Sequence, residues 1–141
     1  MESSEQFTFH HLGVAVNSIE KSLPVYEHLF GYRLVSGPFI DPIQRVSVCF
    51  LESHEGGMTI ELVEPHDAVS PVRKLLEKGT AAYHVCYEVD NLEKILRFAA
   101  DKGCVVVGRP APAVAFGNRR IAWFYTPTRQ LIEVLEKSLE R

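Results

Sequence analysis

The sequence predicts an α+β fold built from two βαβββ modules, and the main reason is an internal repeat. Residues 11–23, HLGVAVNSIEKSL, align without a gap on residues 84–96, HVCYEVDNLEKIL, at an offset of 73. Near the end of each half, TIELVE (59–64) aligns on LIEVLE (131–136) at an offset of 72. Size sets the outer bound. A chain of 141 residues, 46% hydrophobic and with a formal charge of −3, describes one ordinary soluble domain. At this length it needs no disulfide or structural metal to fold, so a bound metal would serve function.

Each half opens on a segment, FHHLGVAV or AYHVCYEV, with the apolar and β-branched content of a strand buried on at least one face. Asn17-Ser18-Ile19-Glu20 and Asp90-Asn91-Leu92-Glu93 come next, each a capping side chain followed three residues later by Glu, as in a capping box. Helices are expected to begin there. Leu92, Ile95, Leu96 and Ala99 recur at helical spacing up to Gly103, and the first helix stops at Gly31, with Pro24 kinking or delaying its early turns. Three strands are expected after each helix. In the first half they span about 32–37, 44–52 and 57–64, with a tight turn at Glu55-Gly56-Gly57; in the second, about 104–108, 119–125 and 130–136. Between the halves, Ser70-Pro71 supplies a cap and a first-turn proline for a short helix, VRKLLEK, ending at Gly79. The expected layout is a single domain over 1–141, with module 1 at about 7–67, a connector helix at about 70–79 and module 2 at about 81–136.

Composition excludes several classes. Basic residues occur at most in pairs such as Arg73-Lys74 and Arg119-Arg120, which argues against a nucleic-acid partner. MESSEQFTFHH has neither the basic start nor the apolar run of a signal peptide, and no stretch of about 18 apolar residues exists, so a cytoplasmic protein without membrane association is expected. Cys49, Cys86 and Cys104 are odd in number, far apart and set in apolar text, which reads as small core residues.

A duplicated half duplicates its chemistry, so polar residues identical in both copies are the place to look for a shared site. These are His11/His84, Glu20/Glu93, Lys21/Lys94, Glu61/Glu133 and Glu64/Glu136. Glu20 and Glu93 are accounted for as capping-box residues with the lysines beside them, and Glu64 and Glu136, three residues beyond Glu61 and Glu133, belong on the opposite, solvated face. His11, Glu61, His84 and Glu133 are left. The His-to-Glu separation is 50 residues in one half and 49 in the other. All four stand in apolar strands without Lys or Arg, where an uncompensated carboxylate costs several kcal/mol. Two imidazoles and two carboxylates suit one borderline or hard divalent ion (Zn, Co, Ni, Mn or Fe), whose charge the carboxylates cancel. His10, His28, His54 and His66 lack such symmetry and read as ordinary hydrogen-bonded or surface residues; His54-Glu55 has Met58 where a zinc-protease motif needs its second His.

HHLGVAV, VYEHLFGYRLV, MTIELVEP, AAYHVCYEVDN and FYTPTRQLIEV together resemble the vicinal-oxygen-chelate (glyoxalase/bleomycin-resistance/dioxygenase) superfamily over nearly the whole chain. Within it, HHLGVAV, DPIQRVSVCFLE and IELVEP are most similar to the methylmalonyl-CoA epimerases. The resemblance implies a curved, cup-shaped eight-stranded sheet with flanking helices, and a metal held by a first-strand His and a last-strand Glu or Gln of each module, which are His11, Glu61, His84 and Glu133 here. It also assigns catalysis to Glu133, as ligand and in part general base. The chain departs from the epimerases at Tyr83, where they carry a His before the second ligand His, at the short 126–130 loop, and at Val48, where some members place a second Glu.

The function this implies is an epimerase or isomerase that removes an α-proton from a chelated acyl-CoA such as methylmalonyl-CoA. The alternatives are a glyoxalase I-like lyase acting on another α-carbonyl compound and a metal-free small-molecule binding protein of the same fold. An extradiol dioxygenase fits less well, because a fourth protein ligand is present. Gln44 is a candidate to orient substrate or water. Arg119 and Arg120 are candidates to meet a carboxylate or phosphate, against the plainer reading of a solvated edge strand. A homodimer is an open assembly.

Overall fold

The computed structural model describes residues 6–138. Along the chain run β1 (Thr8–Ala15), α1 (Ile19–Phe30), β2 (Arg33–Asp41), β3 (Val46–Glu52), β4 (Thr59–Pro65), α2 (Pro71–Glu77), β5 (Ala82–Val89), α3 (Leu92–Asp101), β6 (Val105–Pro112), β7 (Arg120–Tyr125) and β8 (Leu131–Glu136). This is the α+β succession the repeat predicts. The strands form one mixed sheet of order β2-β3-β4-β1-β5-β8-β7-β6. By packing, residues 11–83 make one compact unit and residues 84–138 with 6–10 another.

In the first unit β1 runs parallel to β4, and β4, β3 and β2 are antiparallel neighbours. Strand alternation sends Val14, Cys49, Leu51, Ile60 and Leu62 to one face, where Ile19, Leu23 and Tyr26 of α1 cover them. The start of α1 differs from expectation. Ser18, not Asn17, is the N-cap, its hydroxyl accepting from the Lys21 N–H at 3.1 Å. Glu20 therefore closes no capping box. The carboxylate that does reach this helix end is Glu64, whose Oε1 accepts from the Ile19 N–H at 2.8 Å, so Glu64 is not simply solvated. Pro24 lies inside α1 without delaying its start, and Gly31 ends the helix at φ 74°.

Strand β2 continues to Asp41, past the expected end near residue 37, because register shifts on either side of Ser36 absorb Gly37-Pro38. Gly37 has φ 92°, and a Cβ there would come 2.8 Å from the Val48 carbonyl, so only glycine fits. The connector matches its signals: Ser70 Oγ accepts from Val72 N–H, Pro71 begins α2, and Gly79 follows at φ 83°.

In the second unit β5 is parallel to β8, and β8, β7 and β6 are antiparallel. Leu92, Ile95 and Ala99 of α3 cover Ala122, Phe124 and Val134 on one face, with Phe7 packed against the same cluster and its ring centroid 5.8 Å from that of Tyr87. The cap is again displaced by one residue. Asn91 Oδ1 accepts from the Lys94 N–H, leaving Glu93 to Arg120 rather than to a capping box. On the other face Cys86, Ala113, Ile121 and Leu135 form a second buried cluster. Cys49 and Cys86 are core residues, as their apolar setting predicts, while Cys104 is half-buried.

Candidate metal centre

In the first unit Glu61 stands opposite Gly13 in the parallel β1–β4 register. His11, two residues before Gly13, shares its face, so the imidazole reaches diagonally across a position with no side chain. His11 Nε2 lies 3.1 Å from Glu61 Oε1, and both side chains are nearly or wholly buried. On the adjoining strand Phe50 pairs with Glu61, and its ring meets the His11 imidazole edge-on, with centroids 5.4 Å apart.

The second unit repeats this arrangement. Glu133 stands opposite Cys86, another small residue, and His84 lies two residues earlier on the same face. His84 Nε2 is 3.2 Å from Glu133 Oε1, again with both side chains buried. Trp123 pairs with Glu133 and meets the His84 ring at 4.9 Å and 86°. Two imidazoles and two carboxylates, His11, Glu61, His84 and Glu133, thus make up a candidate metal-binding group. No Lys or Arg lies within the strands that carry them. Phe50 and Trp123 were readable from the sequence, because they too are spaced by the repeat offset of 73, yet in isolation each looks like an ordinary core aromatic.

The other sequence candidates fall elsewhere. Gln44 is in the β2–β3 turn, where its N–H donates to the carboxylate of buried Asp41; that turn lies beyond Val46 and past the Pro65 end of β4. Arg119 Nη1 donates to Glu88 at 2.8 Å, and its Nε to the Phe116 carbonyl. Arg120 is clasped by Glu136 and Glu93, which push its guanidinium further toward the charged form, and its hydrogen bonds in turn hold both carboxyls below their ordinary range. Neither arginine is on an edge strand, since β7 lies between β8 and β6. Glu136 is likewise an ion-pair partner, not a merely solvated group. Val48 is core, and His10 packs edge-on against Phe116. Beside the first pair, burial and the neighbouring Glu61 charge raise the Cys49 thiol to about 11, so it stays protonated at neutral pH.

Residues 10–123 match the family model of the Glyoxalase/Bleomycin resistance protein/Dioxygenase superfamily. The chain belongs to this superfamily. The resemblance read from its strands, including the likeness to methylmalonyl-CoA epimerases, recurs among its relatives. The uncharacterized protein YqjC of Bacillus subtilis is 30% identical over 130 residues, covering 89% of each chain. Mitochondrial methylmalonyl-CoA epimerase of Bos taurus is 32% identical over 110 residues, which are 77% of this chain and 61% of that enzyme. The crystal structure of methylmalonyl-CoA epimerase from Mycobacterium tuberculosis has a TM-score of 0.83 at 24% identity, covering 98% of this chain and 93% of that one, a likeness of fold. Among the described residues no helix is long and apolar enough to cross a membrane.

Proposed function

We propose that this chain is a metal-dependent isomerase of the superfamily, binding one divalent cation through His11, Glu61, His84 and Glu133 and removing the α-proton of an acyl-CoA such as methylmalonyl-CoA. The observation that carries the reading is the buried His–Glu pair repeated in each unit, with nitrogen and oxygen 3.1 and 3.2 Å apart. The donor set fits a metal. Two donors, each about 2.1 Å from a common ion, stand about 3.0 Å apart at a right angle and about 3.4 Å at the tetrahedral angle, which brackets both spacings. Two carboxylates and two neutral imidazoles also balance a 2+ charge, which suits a site this dry.

A divalent cation at such a donor set supplies Lewis-acid polarisation of a carbonyl, worth several kcal/mol. The chain's own contribution is to exclude water and to hold a proton. Glu133 is assigned removal of the α-proton, with Trp123 beside it in the β7–β8 register, and inversion requires a second proton carrier that returns a proton to the opposite face of the α-carbon. A base so placed contributes about 10²–10⁴-fold, provided it reaches the α-proton. The bovine relative, an epimerase by name, supports the acyl-CoA substrate.

The test begins with metal analysis of protein purified without a His-tag. Metal-loaded and metal-free forms are then assayed in heavy water for deuterium incorporation at the α-carbon of methylmalonyl-CoA. Metal-dependent incorporation that His84→Ala abolishes is the expected result. Exchange into hemithioacetals but not CoA thioesters would replace the epimerase with a glyoxalase-like lyase, and a protein that takes up no metal would leave a small-molecule binding module.

A further inference from the structure

We propose that Phe50 and Trp123 are positioning residues that fix the orientation of the two ligand imidazoles, with Trp123 carrying the larger share. The proposal rests on the metal-binding reading above and adds a role that the ligand set alone does not contain. An imidazole's second side-chain torsion is broad and roughly two-fold, so burial alone does not choose which ring edge faces the carboxylate. Packing against a rigid neighbour helps to choose it. In each unit the residue opposite the carboxylate in the parallel register is small, Gly13 or Cys86, so no bulky side chain from that position fixes the ring. The rigid neighbour comes from the middle strand, where the antiparallel register places Phe50 beside Glu61 and Trp123 beside Glu133.

Both rings meet the imidazole in the edge-to-face geometry that aromatic pairs favour, at 5.4 Å and 73° for Phe50 and at 4.9 Å and 86° for Trp123. A half-turn of either imidazole would take Nε2 away from its carboxylate oxygen and break the spacing of 3.1 or 3.2 Å. The two positions are not equal. The indole is the larger ring and the closer one, so its loss frees His84 more than loss of the phenyl frees His11. The surroundings of ligand residues typically set metal affinity by about 10–100-fold.

Trp123 is the only tryptophan in the chain, so its emission reports on this contact without interference. Titrating the full chain with Co²⁺ is expected to quench that emission and saturate near one equivalent. Trp123→Leu is expected to weaken Co²⁺ affinity by about 10–100-fold, measured by competition with a chromogenic chelator, and to alter the visible spectrum of the bound Co²⁺. Trp123→Phe should recover most of the loss, and Phe50→Leu should show a smaller one. Phe124→Leu is the control: it removes an aromatic ring from the opposite, α3-covered face of the same strand, and is expected to lower the melting temperature with Co²⁺ affinity intact. Wild-type affinity and spectrum in Trp123→Leu, or an equal loss in Phe124→Leu, would overturn the proposal. Should Trp123→Leu not fold, the Phe50→Leu and Trp123→Phe pair decides, and wild-type affinity in both overturns it. A wild-type protein that binds no Co²⁺ defeats the metal reading itself, an outcome distinct from a Trp123 series that binds uniformly.

Discussion

Glu64 Oε1 accepts a hydrogen bond from the backbone N–H of Ile19 at 2.8 Å, so a strand residue 45 positions away satisfies the first turn of α1. Helix starts leave such N–H groups without an internal partner, and side chains that bind them contribute about 1 kcal/mol. Glu64→Ala is expected to lower stability by about 1–2 kcal/mol in urea titration, and Glu64→Gln, which keeps an acceptor oxygen, by less. Equal loss in both variants would show that charge, not the hydrogen bond, is the source.

Arg120 sets the acid limb of stability. Side-chain hydrogen bonds from its guanidinium hold Glu136 below the ordinary carboxyl value of 4.5, and Glu93 is lowered from the same partner. A depressed folded value contributes stability that is fully present above the unfolded value and is lost as pH falls through the folded one. Arg120→Met is therefore expected to be less stable than wild type at pH 7, with the gap closing below about pH 4.5. Both pairs are accessible to solvent, which keeps the gap small. Denaturant midpoints across pH 2–7 check it, and a constant gap would contradict the assignment.

Glu61 and Glu133 are alike in geometry but are assigned different work. Glu61→Ala is expected to lose metal affinity and regain turnover in excess metal. Glu133→Ala is expected to stay about 10²–10⁴-fold slow even when loaded. Steady-state rates against metal concentration separate the two, and equal rescue would reduce Glu133 to a ligand.

Arg129 has φ 70°, in the β7–β8 turn, at the place where the β3–β4 turn has Gly56 at φ 75°. The left-handed conformation costs a side-chain-bearing residue roughly 1–2 kcal/mol, part of which glycine returns to the unfolded chain's entropy. Arg129→Gly is expected to raise stability by up to about 1 kcal/mol, read as a higher melting temperature. A lower one would mean the arginine side chain contributes more than its backbone strain costs.

The two His–Glu pairs were legible in the sequence because duplication places them at matched offsets and apolar strands leave them no cationic neighbour. Helix caps were legible only to within a residue. Asn17-Ser18 and Asp90-Asn91 each offer two capping side chains in succession, and backbone geometry selects the second. The partners of Glu64 and Arg120 were not legible, since they lie 45 and 16 or 27 residues away and depend on register. The same dependence hid the bulged continuation of β2, where Gly37-Pro38 looks like a terminator until the two register shifts absorb it.

Strand β1 crosses a boundary in packing: residues up to His10 group with 84–138, while His11 onward groups with the first unit. Phe7 and Phe9 meet the Tyr87 ring, and His10 meets Phe116. On the ribosome these aromatics emerge about 80 to 106 residues before their partners. They must remain uncovered over that stretch of synthesis, and the loops they close take in the whole first unit, residues 11–83. A nascent chain halted in the connector would therefore carry a folded-length first module with an aromatic overhang, and a separately expressed second module would begin life missing part of its own core.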